Sequence, residues 1–445
     1  MSTLSETRIT RRRMLAGMAS AGALAGLPSI VPSTVLGGSA PSNRITLAMI
    51  GTGRQGIQAN LRTLVHMDDV QVVAVCDPDI WRMHKARDMV NDTYENKDCA
   101  CYADFREIIA RNDIDAVMNS TPDHWHVPIS LAAIRTGKHV SCEKPLTLSI
   151  AEGRVLADTA KKHGVVFRTD SECRSHAYMH KTAELARNGY LGKITRIKVG
   201  VPRGDKPGGN PDPMPVPEEL DYAMWLGPAP RKAYTVDRVH PRQSLKRPGW
   251  MRCSDTCEGM ITNWGTHLLD VAQQANDTER TGPISVEGSG RYPDPDSGLW
   301  DVLIDFKARF EYADGVVLDY FIDVPYLRVE GEEGWIEAHW HSPGGLTAHD
   351  KRILRTKLKD SDLHLPQRMD KEDFVYCIKN NAPEESMADA EVGHRTCSLG
   401  QLAHIAIDRG RKLAWDPHNE RFDDAKANER LTRSYTEPWG LDLTV

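Results

Sequence analysis

The sequence predicts an α/β protein in two parts: an N-terminal, doubly wound parallel sheet and a C-terminal α+β domain with a large, open, mostly antiparallel sheet. Two observations predict this division. From Ile45 to about Phe167, short apolar segments rich in β-branched residues alternate with helical patterns, as in a parallel sheet covered on both faces. After Asp170 this alternation stops, and longer segments of alternating polar and apolar residues favour an antiparallel sheet with one covered face.

The N-terminal part contains strand-like segments separated by helical patterns. The strand-like segments are 45–50, 70–75, 114–120, 139–143 and 165–167. Helical patterns run through Leu64, from about Trp81, over 129–137 and from about Ile150. Because a helix follows each strand, consecutive strands should run parallel.

The C-terminal part is predicted to begin with a helix over 177–189 and a strand over 193–201. Residues 203–250 are rich in Pro, Gly and Arg, and they form a loop too long to be without a role in a compact domain. Further strands are predicted over 284–288, 300–312, 315–323 and 326–336, and helices over 371–380 and 391–409. We therefore place two domains at 43–168 and 169–380, and a C-terminal helix and tail at 381–445 that packs back on the body.

A glycine-rich turn joins the first strand to the first helix. Its residues are Gly51, Thr52, Gly53, Arg54, Gln55 and Gly56. Glycines allow a tight turn and bring backbone N–H groups close to a pyrophosphate, while the N-terminus of the helix adds partial positive charge. Between a strand and a helix, this spacing is typical of a dinucleotide-binding Rossmann domain.

Asp77 follows the second strand, 21 residues after Gly56. At this position a carboxylate accepts hydrogen bonds from the ribose 2′-hydroxyl of NAD and repels the 2′-phosphate of NADP. We therefore expect NAD as the cofactor and weaker binding of NADP. Arg82 and Lys85 lie close enough in the sequence to leave NADP open as an alternative.

Two polar segments, 120–126 and 142–145, lie at the ends of the predicted strands 114–120 and 139–143. In an open parallel sheet the ligand crevice lies outside the carboxyl ends of the strands, so both segments should line it. The residues that we expect at the cofactor here are Thr121, Pro122, His126, Glu143 and Lys144. His124 is equally compatible with the start of a helix.

These segments resemble the Gfo/Idh/MocA family, which is named after glucose-fructose oxidoreductase, inositol dehydrogenase and a rhizopine-catabolism protein. Its most specific marks in this chain are the Glu-Lys-Pro triplet 143–145 and the Thr-Pro-x-x-x-His segment 121–126. A third mark, 263–270, is similar to the active-site helix of the family's second domain. The resemblance extends over nearly the whole chain after residue 40. It implies an NAD(P)-dependent oxidoreductase acting on carbohydrates, and a homo-oligomer, a dimer or a tetramer, formed through the open sheet.

The resemblance also implies hydride transfer between a carbinol carbon and the nicotinamide. Such a reaction needs a base for the hydroxyl proton and a cation that stabilises the developing alkoxide. Lys144 suits the second role and His267 the first, and the two roles could also be shared or reversed. The bland interpretation of His267 is a buried histidine without a catalytic role.

One departure from the family pattern affects His267. Relatives usually carry Asp four residues before it, where this chain has Asn263. Asn263 could neighbour His267 on one helix face, or it could be the N-cap of that helix. An amide cannot stabilise an imidazolium as a carboxylate does, so Asp270, three residues after His267, could supply the missing charge.

Several polar and aromatic residues are candidates for contact with a sugar. Guanidinium groups donate to sugar hydroxyls, and aromatic rings stack on CH faces of the ring. The candidates are Arg174, His176, Tyr178, Trp264 and Asp270.

The composition excludes several classes of protein. Of 445 residues, 40% are hydrophobic and 27% charged, which is ordinary for a globular protein. The net charge is −6, and loss of residues 1–40, with four arginines and one glutamate, would leave −9; an acidic chain argues against a nucleic-acid partner. Nine cysteines are too few for a disulfide scaffold, although Cys99 with Cys101, and Cys253 with Cys257, could be oxidised. No cysteine pattern has the spacing of zinc ligands, so we expect no metal.

Residues 1–40 have the layout of a cleavable export signal. A block of four arginines precedes a weakly apolar stretch and a small-residue exit, and the segment 10–15 resembles a twin-arginine address. We therefore expect a periplasmic or extracellular protein with no membrane span after removal of the signal. The twin-arginine route carries folded proteins, so a cofactor could be loaded before export.

Free NAD is scarce outside the cytoplasm, which favours a cofactor that stays bound and is reduced and reoxidised in place. We expect a sugar or glycoside oxidoreductase of this kind. A second possibility is a redox-neutral glycoside hydrolase, in which oxidation of the sugar, for example at C3, elimination, addition of water and reduction follow one another. A third possibility is a secreted sugar-binding module without catalysis.

Overall fold

The computed structural model describes residues 43–340 and 345–440. The predicted export signal, residues 1–40, lies outside the described residues. All contacts given below lie within the compact unit Ile45–Val445.

Six parallel strands form the first sheet. They are β1 (Ile45–Ile50), β2 (Val70–Cys76), β3 (Ala100–Tyr102), β4 (Ala116–Asn119), β5 (His139–Cys142) and β6 (Phe167–Thr169). Their order in space is β3-β2-β1-β4-β5-β6, and all neighbours are parallel. Because the strand order reverses between β1 and β4, a crevice for a ligand opens there at the carboxyl ends of the strands.

Helices cover both faces of this sheet, which explains why β1 is apolar almost throughout and nearly fully buried. The helices are Ile80–Tyr94, Phe105–Ile109, His126–Arg135 and Ile150–His163, and the glycine turn leads into a π-helical turn, Gly56–Leu61, continued by Arg62–Leu64. Ser149 and Glu152 form a capping box at the start of Ile150–His163, and Gly164 ends that helix in the left-handed region with φ +62°.

Nine strands form the second sheet. They are β7 (Ile194–Val201), β8 (Ser285–Arg291), β9 (Asp305–Glu311), β10 (Val317–Ile322), β11 (Tyr326–Gly331), β12 (Gly334–His339), β13 (Leu346–Ala348), β14 (Leu413–Asp416) and β15 (Arg421–Phe422). Their order is β13-β12-β11-β7-β10-β9-β8-β14-β15. Only β7 and β10 pair in parallel among the strands of this sheet that the structure describes.

Helices pack on one face of the second sheet and leave the other face polar. In β9, for example, Phe306 and Phe310 are buried, whereas Lys307 and Arg309 point to solvent. The helices of this part are Ala177–Arg187, Tyr222–Leu226, Met260–Asn263, Gly265–Ala275, Lys351–Leu354, Asp370–Asn380, Ala390–Arg409 and Ala425–Asn428. The predicted fold class, a doubly wound parallel sheet followed by a mostly antiparallel one, is confirmed.

The structure corrects the prediction of a single strand over 326–336. It contains two antiparallel strands, β11 and β12, joined by a turn at Glu332 and Glu333. The flanking residues Gly331 and Gly334 provided a turn signal that the alternating apolar pattern outweighed.

The nine cysteines all lie in the described part of the chain, and all are free thiols there. The two pairs considered for oxidation are therefore unpaired in this structure. Within residues 43–340 and 345–440, no helix combines the length and apolar character that a membrane span requires.

Candidate active site

A cavity of about 450 Å³ lies at the carboxyl ends of the strands of the first sheet. The second part of the chain closes the cavity. It contributes residues of the loop that contains Met224 and Met251, the side chains of Asn263, Trp264 and His267, and Trp340. The residues predicted for the site that line this cavity are Gly51, Gly53, Arg54, Gln55, Asp77, Thr121, Pro122, His126, Glu143, Lys144, Asn263, Trp264 and His267.

The glycine turn is shaped as a dinucleotide cradle requires. Gly51 has φ +85°, and a Cβ there would lie 2.5 Å from backbone atoms of Ser120 and Thr121. A Cβ on Gly56 would lie 2.3 Å from the carbonyl oxygen of Gly51, so Gly56 packs behind the turn instead of lining the cavity. Gly53 has no atom within 4 Å of its would-be Cβ, which leaves open space where a phosphate could approach the backbone.

Asp77 is buried at the end of β2 and fastens the glycine turn to that strand. Its Oδ2 accepts hydrogen bonds from the Thr52 backbone N–H at 2.7 Å and from the Thr52 hydroxyl at 3.1 Å, and its Oδ1 accepts from the Asp79 N–H at 2.9 Å. Burial raises the pKa of Asp77 above its usual value. Because each carboxylate oxygen has two lone pairs, Asp77 can still accept a hydrogen bond from a ribose hydroxyl at the cavity.

Arg82 and Lys85, the two cations that could have bound the 2′-phosphate of NADP, both contact other groups of the protein. The Arg82 guanidinium donates to the carbonyl oxygens of Pro241 at 3.3 Å and Ser244 at 2.7 Å. The Lys85 ammonium lies 5.5 Å from the ring centroid of Trp81. These contacts weaken the case that either side chain serves as a dedicated partner for a 2′-phosphate.

Glu143 organises the floor of the cavity beside Lys144. Asn60 Nδ2 donates to Glu143 Oε1 at 2.9 Å and to Ser120 Oγ at 2.7 Å, and Glu143 Oε2 accepts from the Lys144 backbone N–H at 3.2 Å. This network connects the first helix with the ends of β4 and β5. The Lys144 side chain, half-buried, lines the cavity.

His126 links the two polar segments that follow β4 and β5. Its Nδ1 lies 2.7 Å from the carbonyl oxygen of Pro145, and its Nε2 lies 2.9 Å from that of Thr121. Burial lowers the pKa of His126. The contacts support a role in holding the segments together at the cavity wall.

His267 lies on the opposite wall, in the helix Gly265–Ala275. Its ring is 5.7 Å from that of Trp264 and 5.7 Å from that of Trp340, measured between centroids. Burial, reinforced by the charge of Lys144, holds the pKa of His267 well below its usual range. Its Nδ1 has no hydrogen-bond partner among the described residues. A neutral imidazole of this kind is available to accept a proton.

Two expectations about the surroundings of His267 are wrong. Asn263 is not an N-cap: it ends the helix Met260–Asn263, and Trp264 caps the helix that follows. Asp270 does not supply charge to His267, because its carboxylate accepts from Arg174 at 2.7 and 2.8 Å and from Ser171 at 2.9 Å.

The other substrate candidates divide by position. Arg174 and Asp270 form their ion pair in the interior, away from the cavity. His176 stacks on Trp340 at 5.3 Å between centroids, behind the cavity wall, and Tyr178 is exposed with its ring 5.5 Å from His176. Of the five candidates for sugar contact, only Trp264 lines the cavity.

The structure adds three residues that the sequence analysis did not select. Asp123 lies in the segment after β4, lines the cavity, and has a pKa raised to about 7, chiefly by burial. Glu172 follows β6 and lines the cavity with its pKa raised, chiefly by burial. Trp340 follows β12. Asp123 and Glu172 follow strands of the first sheet and could have been found by that signal, whereas nothing local to Trp340 indicates its position.

The donor set fits a dinucleotide better than a metal. Within the described ranges, no three His, Cys, Asp or Glu side chains are grouped as metal ligands would be. The open space above Gly53, the close packing of Gly51 and Gly56, and the cationic Arg54 fit a pyrophosphate. The residues present therefore fit NAD.

Two models of protein families match the chain. One is described as "Oxidoreductase family, NAD-binding Rossmann fold" and matches residues 45–171. The other is described as "Oxidoreductase family, C-terminal alpha/beta domain" and matches residues 207–441. The first is named GFO_IDH_MocA and the second GFO_IDH_MocA_C2. NAD as the cofactor class is thereby confirmed.

Among the curated proteins that are similar to the chain, one is named as a glycosyl hydrolase and another as an inositol dehydrogenase. The Glycosyl hydrolase family 109 protein of Stenotrophomonas maltophilia is 27% identical over 252 residues, which cover 54% of this chain and 51% of that protein. The match therefore spans about half the length of that relative. Inositol 2-dehydrogenase 4 of Saccharopolyspora erythraea is 30% identical over 317 residues, covering 66% of this chain and 90% of that protein.

Solved structures share the fold at low sequence identity. An aldose-aldose oxidoreductase from Caulobacter crescentus, solved with glycerol, aligns with a TM-score of 0.60 at 17% identity and covers 83% of this chain and 99% of its own. The WlbA dehydrogenase from Bordetella pertussis, solved with NADH and UDP-GlcNAcA, aligns with a TM-score of 0.61 at 14% identity, covering 84% and 99%.

Proposed function

Because the chain belongs to the Gfo/Idh/MocA oxidoreductase family, we propose that it is an exported, NAD-dependent sugar or glycoside oxidoreductase that keeps its cofactor bound. One observation carries the proposal: Lys144 from the first sheet and His267 from the second part line one cavity together with the glycine turn. A cation and a neutral imidazole beside a dinucleotide site are the groups that oxidation of a carbinol requires.

Each residue has a role in this proposal. Bound NAD supplies the hydride acceptor. It would be held by the backbone of Gly51, Gly53 and Gln55 and by the side chain of Arg54. Lys144 stabilises negative charge on the carbinol oxygen, and His267 accepts the hydroxyl proton. The sugar ring packs against Trp264 and Trp340, whose rings are 6.0 Å apart at a steep angle and line the same cavity.

A redox-neutral glycoside hydrolase is the second candidate. Relatives named Glycosyl hydrolase family 109 protein, at 27% identity over 252 residues in one case, favour it. In both candidates the chain performs the same oxidation of a sugar carbon, and they differ in whether a glycosidic bond is then lost. Asp123 and Glu172, both with raised pKa, are acidic groups at the cavity that could protonate a leaving group.

Export through the twin-arginine pathway belongs to the proposal because of the arginine block and weakly apolar stretch within residues 1–40. An exported enzyme without access to free NAD needs a cofactor that is regenerated in place: the hydride taken from one sugar is passed on to a second carbonyl compound, which is thereby reduced to an alcohol. A homo-oligomer formed through the open second sheet is also part of the proposal. Fractionation of the natural host, with a twin-lysine variant of Arg11 and Arg12 as the control, tests the export route.

One assay separates the candidates. One portion of the purified protein is denatured, and the nucleotide that it releases is identified by chromatography. A second, native portion is incubated with a panel of p-nitrophenyl glycosides without added NAD. Release of nitrophenol without net reduction of the cofactor supports the hydrolase. Formation of a keto-sugar in an amount equal to the bound NAD, and its further accumulation once a second carbonyl compound is added as hydride acceptor, supports the oxidoreductase. A protein that contains no NAD and takes up none contradicts both. A non-catalytic sugar-binding module would bind the sugars and convert none of them.

A further inference from the structure

The loop after β7 contains a structured segment, residues 219–251, which we call the strap. It has its own small hydrophobic cluster, formed by Leu220, Trp225, Leu226, Ala229, Tyr234 and Val239. A loop with a buried cluster is held in one arrangement by its own packing, so the strap behaves as a rigid element. The length of this loop predicts a role, but its sequence does not indicate which one.

The strap is fastened to the edge of the nucleotide crevice. The backbone N–H of Ile80 donates to the carbonyl oxygen of Glu219 at 2.8 Å, and that of Asp221 donates to Pro78 at 2.9 Å. These bonds join the strap to the chain just beyond Asp77, the acid predicted to bind the ribose. The strap therefore begins at the outer edge of the adenosine end of the crevice.

A buried ionic cluster fastens the strap a second time. His240 Nε2 lies 2.9 Å from Asp79 Oδ2, and Arg82 donates to the carbonyl oxygens of Pro241 and Ser244. Asp79, Arg82 and His240 are 3%, 3% and 8% exposed. Hydrogen bonds to a charged group are stronger than those between neutral groups, so several of them together make the opening of this cluster costly.

A third attachment, near the start of the strap, joins it to the segment after β4. The carbonyl oxygen of Trp225 accepts from the indole N–H of Trp125 at 3.0 Å and lies 3.0 Å from His124 Nε2. A Cβ on Gly227 would lie 2.0 Å from the ring of Trp125, so the strap backbone rests directly on that ring. The strap is thus attached to the first sheet on both sides of the crevice.

The strap lines the cavity chiefly with residues near and beyond the last of these attachments, at Ser244. Among the residues that line the cavity are His240, Lys246, Arg247 and Trp250. Lys246 and Arg247 bring positive charge to the wall of the cavity that the glycine turn also lines. Arg247 is held by Asp205 at 2.9 Å. The Lys246 backbone N–H donates to Ser244 Oγ at 3.2 Å, whereas its ammonium group has no hydrogen bond or ion pair within the described part of the chain.

We propose that the strap is the element that retains the dinucleotide: it closes the crevice from outside, and Lys246 supplies positive charge to the phosphates. This inference rests on the proposed retention of the cofactor and adds the residues responsible for it. A dinucleotide so enclosed can leave only if the strap detaches, so release is limited by breaking the cluster of Asp79, Arg82 and His240.

The test measures cofactor release by the full-length purified protein. The wild type and the variants His240→Ala, Asp79→Asn and Lys246→Ala are loaded with the fluorescent analogue etheno-NAD and chased with excess NAD. Asparagine at position 79 keeps a good N-cap for the helix Ile80–Tyr94 while removing the charge that faces His240. Glu218→Gln, an exposed change in the charge next to the strap, is the matched control.

We expect release at least about tenfold faster from His240→Ala and Asp79→Asn, a smaller and salt-dependent acceleration from Lys246→Ala, and no change from Glu218→Gln. Circular dichroism establishes whether each variant is folded. If His240→Ala is unfolded, the release rates of Asp79→Asn and Lys246→Ala test the inference. Wild-type release rates in the folded variants would overturn the inference. A wild type that neither contains nor binds NAD would instead overturn the proposed function.

Discussion

The two halves of the cavity are built differently. In the nucleotide half, hydrogen bonds to buried carboxylates join the segments that follow the strands of the first sheet. Thr52 donates to Asp77, and Asn60 donates to Glu143. In the sugar half, His267 contacts the ring of Trp264, three residues before it, and that of Trp340 from a distant segment, and its Nδ1 has no hydrogen-bond partner in the described part of the chain.

This difference separates a half that is fixed before any ligand arrives from a half whose polar groups are left available. A satisfied polar network is rigid and is costly to disturb. A buried imidazole without a partner on one nitrogen is instead a group whose protonation depends on the ligand and on Lys144. Substitutions in the first half should therefore affect folding and cofactor binding, and those in the second half should affect turnover.

The largest effect is expected where the halves meet, at Lys144. Lys144→Ala should lower kcat by about 10³-fold and leave NAD content unchanged, because it removes the cation facing the alkoxide and no contact that holds the turn. Turnover of a glycoside accepted by the wild type, together with the nucleotide content, checks this. Lys161→Ala, at the exposed end of a helix, is the control. Full activity of Lys144→Ala would favour the non-catalytic interpretation.

Gly51 tests the rigidity of the nucleotide half. Gly51→Ala should lower the free energy of unfolding by about 3 kcal/mol or more and abolish NAD binding, since a Cβ there would lie 2.5 Å from the backbone of Ser120. Gly137→Ala is a matched control: its φ of +80° is similar, but no atom lies within 4 Å. It should cost only about 1–2 kcal/mol, the strain of the left-handed conformation alone. Urea unfolding measures both, and equal losses would show that the close approach has no importance.

His267 tests the sugar half. His267→Ala should lower kcat by about 10²-fold with little change in NAD content, because it removes a proton acceptor and no part of the cradle. Since burial keeps the pKa of His267 low, the wild type should lose kcat/KM on acidification only well below pH 6.5. His163→Asn, on an exposed site, is the control. An acid limb near pH 6.5 or above would assign the titration to another group.

Asp123 gives a pH dependence of stability. Its pKa is about 7 in the folded chain, chiefly through burial, against about 3.9 when unfolded. The folded state thus holds the proton more tightly, so this group's stability contribution is full below about pH 4, falls as the pH rises to about 7, and is constant above. Asp123→Asn removes this dependence, so its gain in the free energy of unfolding over the wild type should grow from about 1.5 kcal/mol at pH 5 to about 4 kcal/mol above pH 7. Urea unfolding of NAD-free protein at several pH values measures it, and parallel curves would contradict it.

Sequence reasoning was most successful where function follows from local order. The glycine turn, Asp77 and Lys144 follow directly from strand ends in a fold whose topology is read from alternation. Asp270 was expected beside His267 because residues three apart on a helix are neighbours. Its carboxylate instead accepts hydrogen bonds from Arg174, which is 96 residues away in the sequence and could not be paired with it from local spacing. Trp340 was missed because its position depends on how the second sheet meets the first, which no local pattern records.

The smallest expected effect is at Trp340, which tests whether the aromatic wall binds the sugar. Trp340→Ala should raise KM by about tenfold and leave kcat within about twofold, because stacking on a sugar face contributes equally before and during the reaction. Trp335→Ala is a matched control: it lies in β12, and its ring faces Arg328 at 3.8 Å and not the cavity. A fall in kcat with unchanged KM would mean that Trp340 acts by positioning His267, whose ring it contacts, and not by holding the substrate.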